Sequence, residues 1–252
     1  MRLFLLACIA LTSLLSGCAT SPPPAPAVEL KRGDRVGILV ETSDTLTHTH
    51  VGTTVFNNFS TPYPYDMALK SKVYQTVENA IKAAGLQAVN LSDAGVRSAD
   101  LSGLVELSGT EWKTGLGKEA SLTRLKNDLN LRAVLTIRTA RALAMVECSG
   151  GPCNFRYVNE PGLFTRSVFG PTRYFAVAAY QWNLYSLDPV ADLARVKPLV
   201  DTVYLPSTPL RGFKDPADFK KLTADELAPV LEGILESVQT AATVAVQSLK
   251  VK

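Results

Sequence analysis

Two short apolar runs flank a helical one, and this arrangement leaves few folds open. Arg35-Val36-Gly37-Ile38-Leu39-Val40-Glu41 is rich in β-branched residues and bounded by charges, which marks a buried strand. Leu86 to Leu91 reads as a second strand. Between them Leu69, Val73, Val77, Ala80, Ile81 and Ala84 recur at helical spacing, with Asp66 as an N-cap candidate and Gly85 at the expected C′ position. Two strands joined by one helix pair as parallel neighbours through a right-handed crossover.

The pattern then repeats and changes. Glu119 to Leu129 carries Leu122, Leu125 and Leu129 on one face, a second helix. Arg132 to Met145 reads as one long strand, with Leu135, Ile137, Leu143 and Met145 alternating with polar or small residues. A β-rich stretch follows: Phe155 to Val158, Gly162 to Phe169, Tyr174 to Leu187 around Trp182, and a return strand over Val196 to Leu205 after an Asp188-Pro189 turn. Thr42 to Tyr65 is polar and turn-rich, with room for a short strand near Val51 to Phe59, and Ser92 to Lys118 is irregular. Thr223-Ala224-Asp225-Glu226 fits a capping box at the head of a C-terminal helix, in which Pro229 is expected to break or kink the first turn. The predicted fold class is α+β: a mixed sheet from β-α-β-α-β, then an antiparallel meander, with the C-terminal helix packed on the sheet.

Composition narrows the function classes. Apolar residues make up 46% of 252 and charged residues 19%, enough for a sizeable core and unlike a disordered chain or a coiled coil. A formal charge of +3 without a dense basic stripe argues against a nucleic-acid partner.

The N-terminus reads as an address. Met1-Arg2 gives a positive charge, Leu3 to Leu14 an uncharged apolar run too short to span a bilayer, and Leu15-Ser16-Gly17-Cys18 follows. This tetrapeptide resembles the lipobox of bacterial lipoproteins. The resemblance implies cleavage before Cys18, acylation of its thiol and new amine, and firm anchoring by two or more acyl chains. It divides the chain into a signal peptide over 1–17, a lipidated cysteine and Pro-rich tether over 18–30, and a single periplasmic domain over 31–252. Ala19 after the cysteine implies the outer membrane, with the body facing the periplasm. Ser21-Pro22-Pro23-Pro24-Ala25-Pro26 is expected to be extended, so a tether of a dozen residues reaches about 37 Å.

With Cys8 lost in the signal and Cys18 lipidated, Cys148 and Cys153 remain. In an oxidising compartment two thiols this close are expected to pair across the Gly150-Gly151-Pro152 turn. A redox pair is the alternative, although four intervening residues is not the Cys-x-x-Cys spacing.

Chemistry-bearing motifs are sparse. His48 and His50, at positions i and i+2, would share one face in a strand, which makes them weak metal candidates beside a reading as solvated loop residues; Glu41 and Asp44 are close in sequence. Gly115-Leu116-Gly117-Lys118-Glu119-Ala120 matches a dinucleotide-type glycine pattern without its preceding strand. Asp93, Asp100, Glu106 and Glu111 leave a glycosidase pair open but single out none. Arg138, Arg156, Arg166 and Arg173, interleaved with aromatics such as Tyr157 and Phe169, have the composition of a partner surface.

Lipobox, short tether, strand-helix-strand-helix-strand order and closing helix together resemble a group of envelope lipoproteins. The group includes the curli-secretion lipoproteins, the lipoprotein activators of penicillin-binding proteins and domains of TolB-N-terminal type. The chain departs from a secretion channel in lacking two long amphipathic hairpins, and from a synthase activator in its short tether. The expectation is a non-catalytic binding or assembly role in the cell envelope, with no cofactor, an envelope protein or cell-wall component as partner, and no stated oligomeric state. The alternatives are an anchored cell-wall hydrolase and a carrier of a small ligand or lipid.

Overall fold

Residues 26–148, 150–167, 171–214, 216 and 218–252 are described by a computed structural model. The lipobox, Cys18 and Phe169 lie outside them. The first strand, β1 (Arg35–Glu41), forms as predicted, with Val36 to Val40 all buried. The polar segment after it is more ordered than its composition suggests, forming β2 (Thr47–Val51) and β3 (Phe59–Pro62). Helix α1 (Leu69–Ala83) follows and hands over to β4 (Gln87–Asn90). Its C-terminus closes as a Schellman motif: Gly85, at φ +80°, donates to the Lys82 carbonyl and Leu86 donates to the Ile81 carbonyl. Its N-terminus differs from expectation. Ala68 occupies the cap position, Asp66 instead accepts from the Ala68 amide, and Asp44 accepts from the Lys70 amide at 2.9 Å.

The stretch read as irregular holds a short helix, α2 (Ser98–Leu101), and a hairpin of β5 (Val105–Ser108) and β6 (Glu111–Thr114). Helix α3 (Glu119–Thr123) runs on as a π-helical turn to Asp128. Next come β7 (Ala133–Thr139), β8 (Ala142–Glu147), β9 (Asn154–Val158), β10 (Gly162–Arg166), β11 (Arg173–Val177) and β12 (Tyr180–Leu187). Both runs read as single long strands are therefore cut in two. After the Asp188-Pro189 turn, β13 (Val190–Asp192) pairs back on β12. Because β13 takes that pairing, the expected return strand at Val196 to Leu205 becomes α4 (Leu199–Tyr204). A short β14 (Ser207–Pro209) precedes α5 (Ala224–Ser248), whose capping box is present as predicted. The helix continues through Pro229 without interruption.

The fold is α+β with mixed sheets and a C-terminal helix packed on a sheet. The first sheet has the order β13-β12-β7-β1-β4, and β1 pairs parallel with both β4 and β7. Strands β12 and β13 extend it antiparallel. The second sheet, β14-β11-β10-β2-β3, takes β10, β11, β14 and the strands of the polar segment, while β8 and β9 pair as a separate hairpin. Helix α1 lies on β1 and β4 and against α5, while α5 lies on β10, β11 and β14, so the helix pair ties the sheets together. One core joins Val36, Ile38, Leu135 and Ile137 to Val73, Val77, Ile234 and Val238, and reaches Leu163 and Ala176 of the second sheet. Gly233 lets α5 approach that sheet closely, since a Cβ there would lie 2.6 Å from the Ala176 Cβ.

Two smaller cores cover the outer faces. Leu39, Val134, Tyr185 and Leu187 of the first sheet pack on Leu91, Leu104, Leu125 and Leu131. Phe164 and Val177 of the second pack on Ala144, Met145 and Val158 of the β8–β9 hairpin. A disulfide between Cys148 and Cys153 staples the end of that hairpin, with Cα atoms 4.2 Å apart. Val28 and Leu30 are buried, and Leu30 exchanges backbone hydrogen bonds with Leu249 and Lys252. The folded body thus begins inside the stretch read as tether, with its N-terminal end beside the end of α5. No helix among the described residues is long and apolar enough to cross a membrane.

Candidate functional site

The outer face of the first sheet changes character along its strands. Near the start of β7 it is apolar, with Val134 beside Tyr185 of β12. Two and four residues further on, the same face carries Thr136 and Arg138, paired across the ladder with Asn183 and Gln181. The period of two puts these four polar side chains in one patch at the carboxyl end of β7. In open sheets with parallel strands this end is where ligands bind. Here the patch floors a cleft of about 340 Å³, walled by Ser98, Leu101 and Ser102 of the α2 region and by Asp192 at the end of β13 and Arg195 just beyond it.

Asp192 anchors the far wall. It is 2% exposed and accepts from the Leu184 amide at 3.2 Å, the Ala194 amide at 3.1 Å and the Asn183 side-chain amide at 2.9 Å. Burial pushes its carboxyl above the usual carboxylate range, and these three donors oppose that shift. Its acceptor capacity is committed to holding β12, β13 and the turn after it. Burial also raises the Tyr185 phenol, which keeps it a donor at neutral pH.

The two arginines are held differently. Arg138 places two guanidinium N–H groups on Gln181 Oε1, at 3.0 and 2.6 Å. Glu41 is its register neighbour on β1, yet Glu41 Oε1 accepts from the Ser98 amide at 3.2 Å instead. Arg195 lies over the Trp112 ring, 5.8 Å from its centroid. Among the described residues neither guanidinium has a carboxylate oxygen within 4 Å. The cleft therefore holds two cations, and its one lining carboxylate is spent on structure.

The histidines form a separate, buried cluster. β2 turns both imidazoles to one side, where His48 Nε2 and His50 Nδ1 lie 2.8 and 2.7 Å from the Thr165 hydroxyl of β10. The reading of two solvated loop residues is thus corrected: β2 pairs parallel with β10, and His48 is 1% exposed among Phe59, Tyr63 and Phe219. One hydroxyl has one proton, so at least one of the two imidazoles donates to it. His48 Nδ1 is buried without a partner. An unpaired lone pair there costs less than an unpaired N–H, which assigns His48 Nε2 as the donor to Thr165. Glu41 and Asp44 are engaged elsewhere, and among the described residues no group of three His, Cys, Asp or Glu is gathered as a metal would need.

Desolvation, with the charge of His50 second, pulls His48 down to about 4 from 6.5. Desolvation also lowers His50. A depressed histidine favours the folded state above its unfolded pKa, and that contribution disappears as pH falls toward the folded pKa. Urea unfolding should show a loss of about 3 kcal/mol attributable to His48 between pH 8 and pH 4. His48→Phe should flatten that slope; an unchanged slope would show that His48 titrates normally.

The arginine and aromatic residues read as one surface are divided between the sheets. Arg166 is mostly buried and donates to both oxygens of Glu147, at 3.0 and 3.1 Å, and to the Gly52 carbonyl. Arg156 also reaches Glu147, and Arg141 lies over the half-exposed Tyr157 at 4.2 Å. Arg173 is exposed opposite Arg166 on β11. Arg138 is not among them, because it belongs to the first sheet. The glycine pattern at Gly115 does follow a strand, β6, but of an antiparallel hairpin. A Cβ on Gly115 would lie 1.7 Å from the Gly103 carbonyl oxygen, so the chain itself fills the space a pyrophosphate would need.

Sequence reasoning found Arg138 but missed Gln181, Asn183, Asp192 and Arg195. The chain matches no protein-family model, no curated protein and no solved structure.

Proposed function

We propose that this chain is a lipid-anchored lipoprotein of the outer membrane, facing the periplasm, whose α+β body works by binding rather than catalysis. The lipobox carries the anchor, and the cleft on the first sheet is the binding element. The single observation behind the binding role is the division of labour in that cleft. Its carboxylate accepts three structural donors, whereas among the described residues neither of its two guanidinium groups has a carboxylate oxygen within 4 Å. A hydrolase using paired carboxyl groups would need a second acid facing the first. Asp192 instead faces amides. The body's N-terminal end lies beside the C-terminus, so the short tether holds the whole domain near the membrane surface, where envelope components are within reach.

Mild cross-linking in intact envelopes, followed by capture and mass spectrometry, tests this role. One dominant envelope component is expected with the anchored protein, weakened by Arg138→Gln and lost with Cys18→Ser. An identical capture profile for all three proteins would overturn it.

A further inference from the structure

We infer that the cleft on the first sheet takes a small, acceptor-rich anion carrying a carboxylate or a phosphate. This deepens the reading of the cleft as the binding element and is independent of the lipid anchor. The inference stands on the balance of donors and acceptors. Of the five N–H groups on Arg138, the Gln181 oxygen occupies two. That same bond orients the Gln181 amide nitrogen, a donor, away from Arg138. Arg195, the Ser98 and Ser102 hydroxyls and the Tyr185 phenol add further donors to the lining. On the acceptor side Asp192 already accepts from three structural donors, and Asn183 Oδ1 accepts from Thr136 at 3.4 Å. Glu41, the nearest other acid on this face, is turned to the Ser98 amide.

A cleft with many donors and few free acceptors selects a ligand made of acceptors. Two guanidinium groups, one on the floor and one in a wall, suit an oxyanion, whose oxygens accept paired N–H donors. A cavity of about 340 Å³ sits at the small end of ligand sites, suited to a single sugar acid, a sugar phosphate or a comparable headgroup. The apolar edges of Leu101 and Val105 give such a ligand's carbon skeleton a wall to lie on.

Calorimetric titration of the purified full-length protein in detergent tests this directly. The probes are inorganic phosphate, glycerol 3-phosphate, galacturonate and, as the neutral control, galactose. Saturable binding of at least one organic anion is expected, weakening with added salt, with none for galactose. Arg138→Gln and Arg195→Gln should each weaken it about tenfold or more. Arg173→Gln, outside the cleft, should leave it unchanged. A preference for glycerol 3-phosphate assigns a phosphoryl ligand, and a preference for galacturonate a carboxylate. Absence of saturable binding by every anion, or equal affinity in Arg138→Gln of unchanged melting temperature, overturns the inference. The lipid mass on Cys18, read on the same sample, shows separately whether the anchor is present.

Discussion

Gly162→Ala should unfold the second sheet's central joint and lower stability by about 3 kcal/mol or more. Gly162 opens β10 directly against Thr47 of β2, and a Cβ there would sit 1.9 Å from the Thr47 carbonyl oxygen and 2.6 Å from its amide nitrogen. Both atoms are backbone, so no side-chain rotation relieves the clash. The Thr47 amide also donates to the Pro161 carbonyl at 3.0 Å, which fixes the two strands at that point. Relief requires β2 to move away, and His48 and His50 then leave Thr165. Two readouts follow. The urea midpoint should fall, and the stability lost between pH 8 and pH 4 should shrink because His48 regains water. A variant as stable as the parent would mean that β2 and β10 are not packed at this distance.

Asp192→Ala should cost about 3 kcal/mol through a different mechanism. The carboxylate serves the amides of Leu184 and Ala194 together with the Asn183 side chain, and it is almost fully buried. Truncation leaves buried donors without acceptors, and an unmade buried hydrogen bond costs more than a made one contributes. Asp192→Asn keeps one oxygen and the shape, and should lose about half as much. Because Arg195 lies in the turn that Asp192 caps, the alanine variant should also loosen the cleft wall and reduce anion binding. A loss below about 1 kcal/mol in chemical denaturation would show that water replaces the carboxylate, and that Asp192 is free to act elsewhere.

The local signals in the sequence carried the fold furthest. β1, the helical repeat ending at Gly85, the Thr223–Glu226 capping box and the Cys148–Cys153 bridge each depend on a few neighbouring residues, and each forms. The division into two sheets does not depend on neighbours alone. Tyr174 to Leu187 keeps its apolar character across Ala178-Ala179, where it breaks, so periodicity gives no warning there; Arg132 to Met145 breaks at Ala140-Arg141, where only its alternation with polar residues is visible. The breaks are tertiary: the Ala140 amide donates to the Ala179 carbonyl, so the two runs pass side by side where they change sheets. Two signals were available, namely the small residues Ala140, Ala178 and Ala179, and a run longer than the roughly 3–10 residues of ordinary strands.

The site was legible only in part for the same reason. Thr136 and Arg138 show the apolar face of β7 turning polar, which is a local pattern. Gln181, Asn183, Asp192 and Arg195 join them through antiparallel pairing of β12 and β13, more than forty residues later in the chain. The histidines failed in the opposite direction. Their polar surroundings in sequence suggested solvent, whereas the parallel pairing with β10 buries His48 and half-buries His50.

The measurement that bears most directly on the proposed role is an intact mass of the mature protein extracted from outer membranes. A chain beginning at Cys18 and carrying the mass of a diacylglycerol and an amide-linked acyl chain is the expected result. A chain that begins elsewhere, or one that begins at Cys18 without lipid, would contradict the anchor and with it the placement of the cleft at the membrane surface.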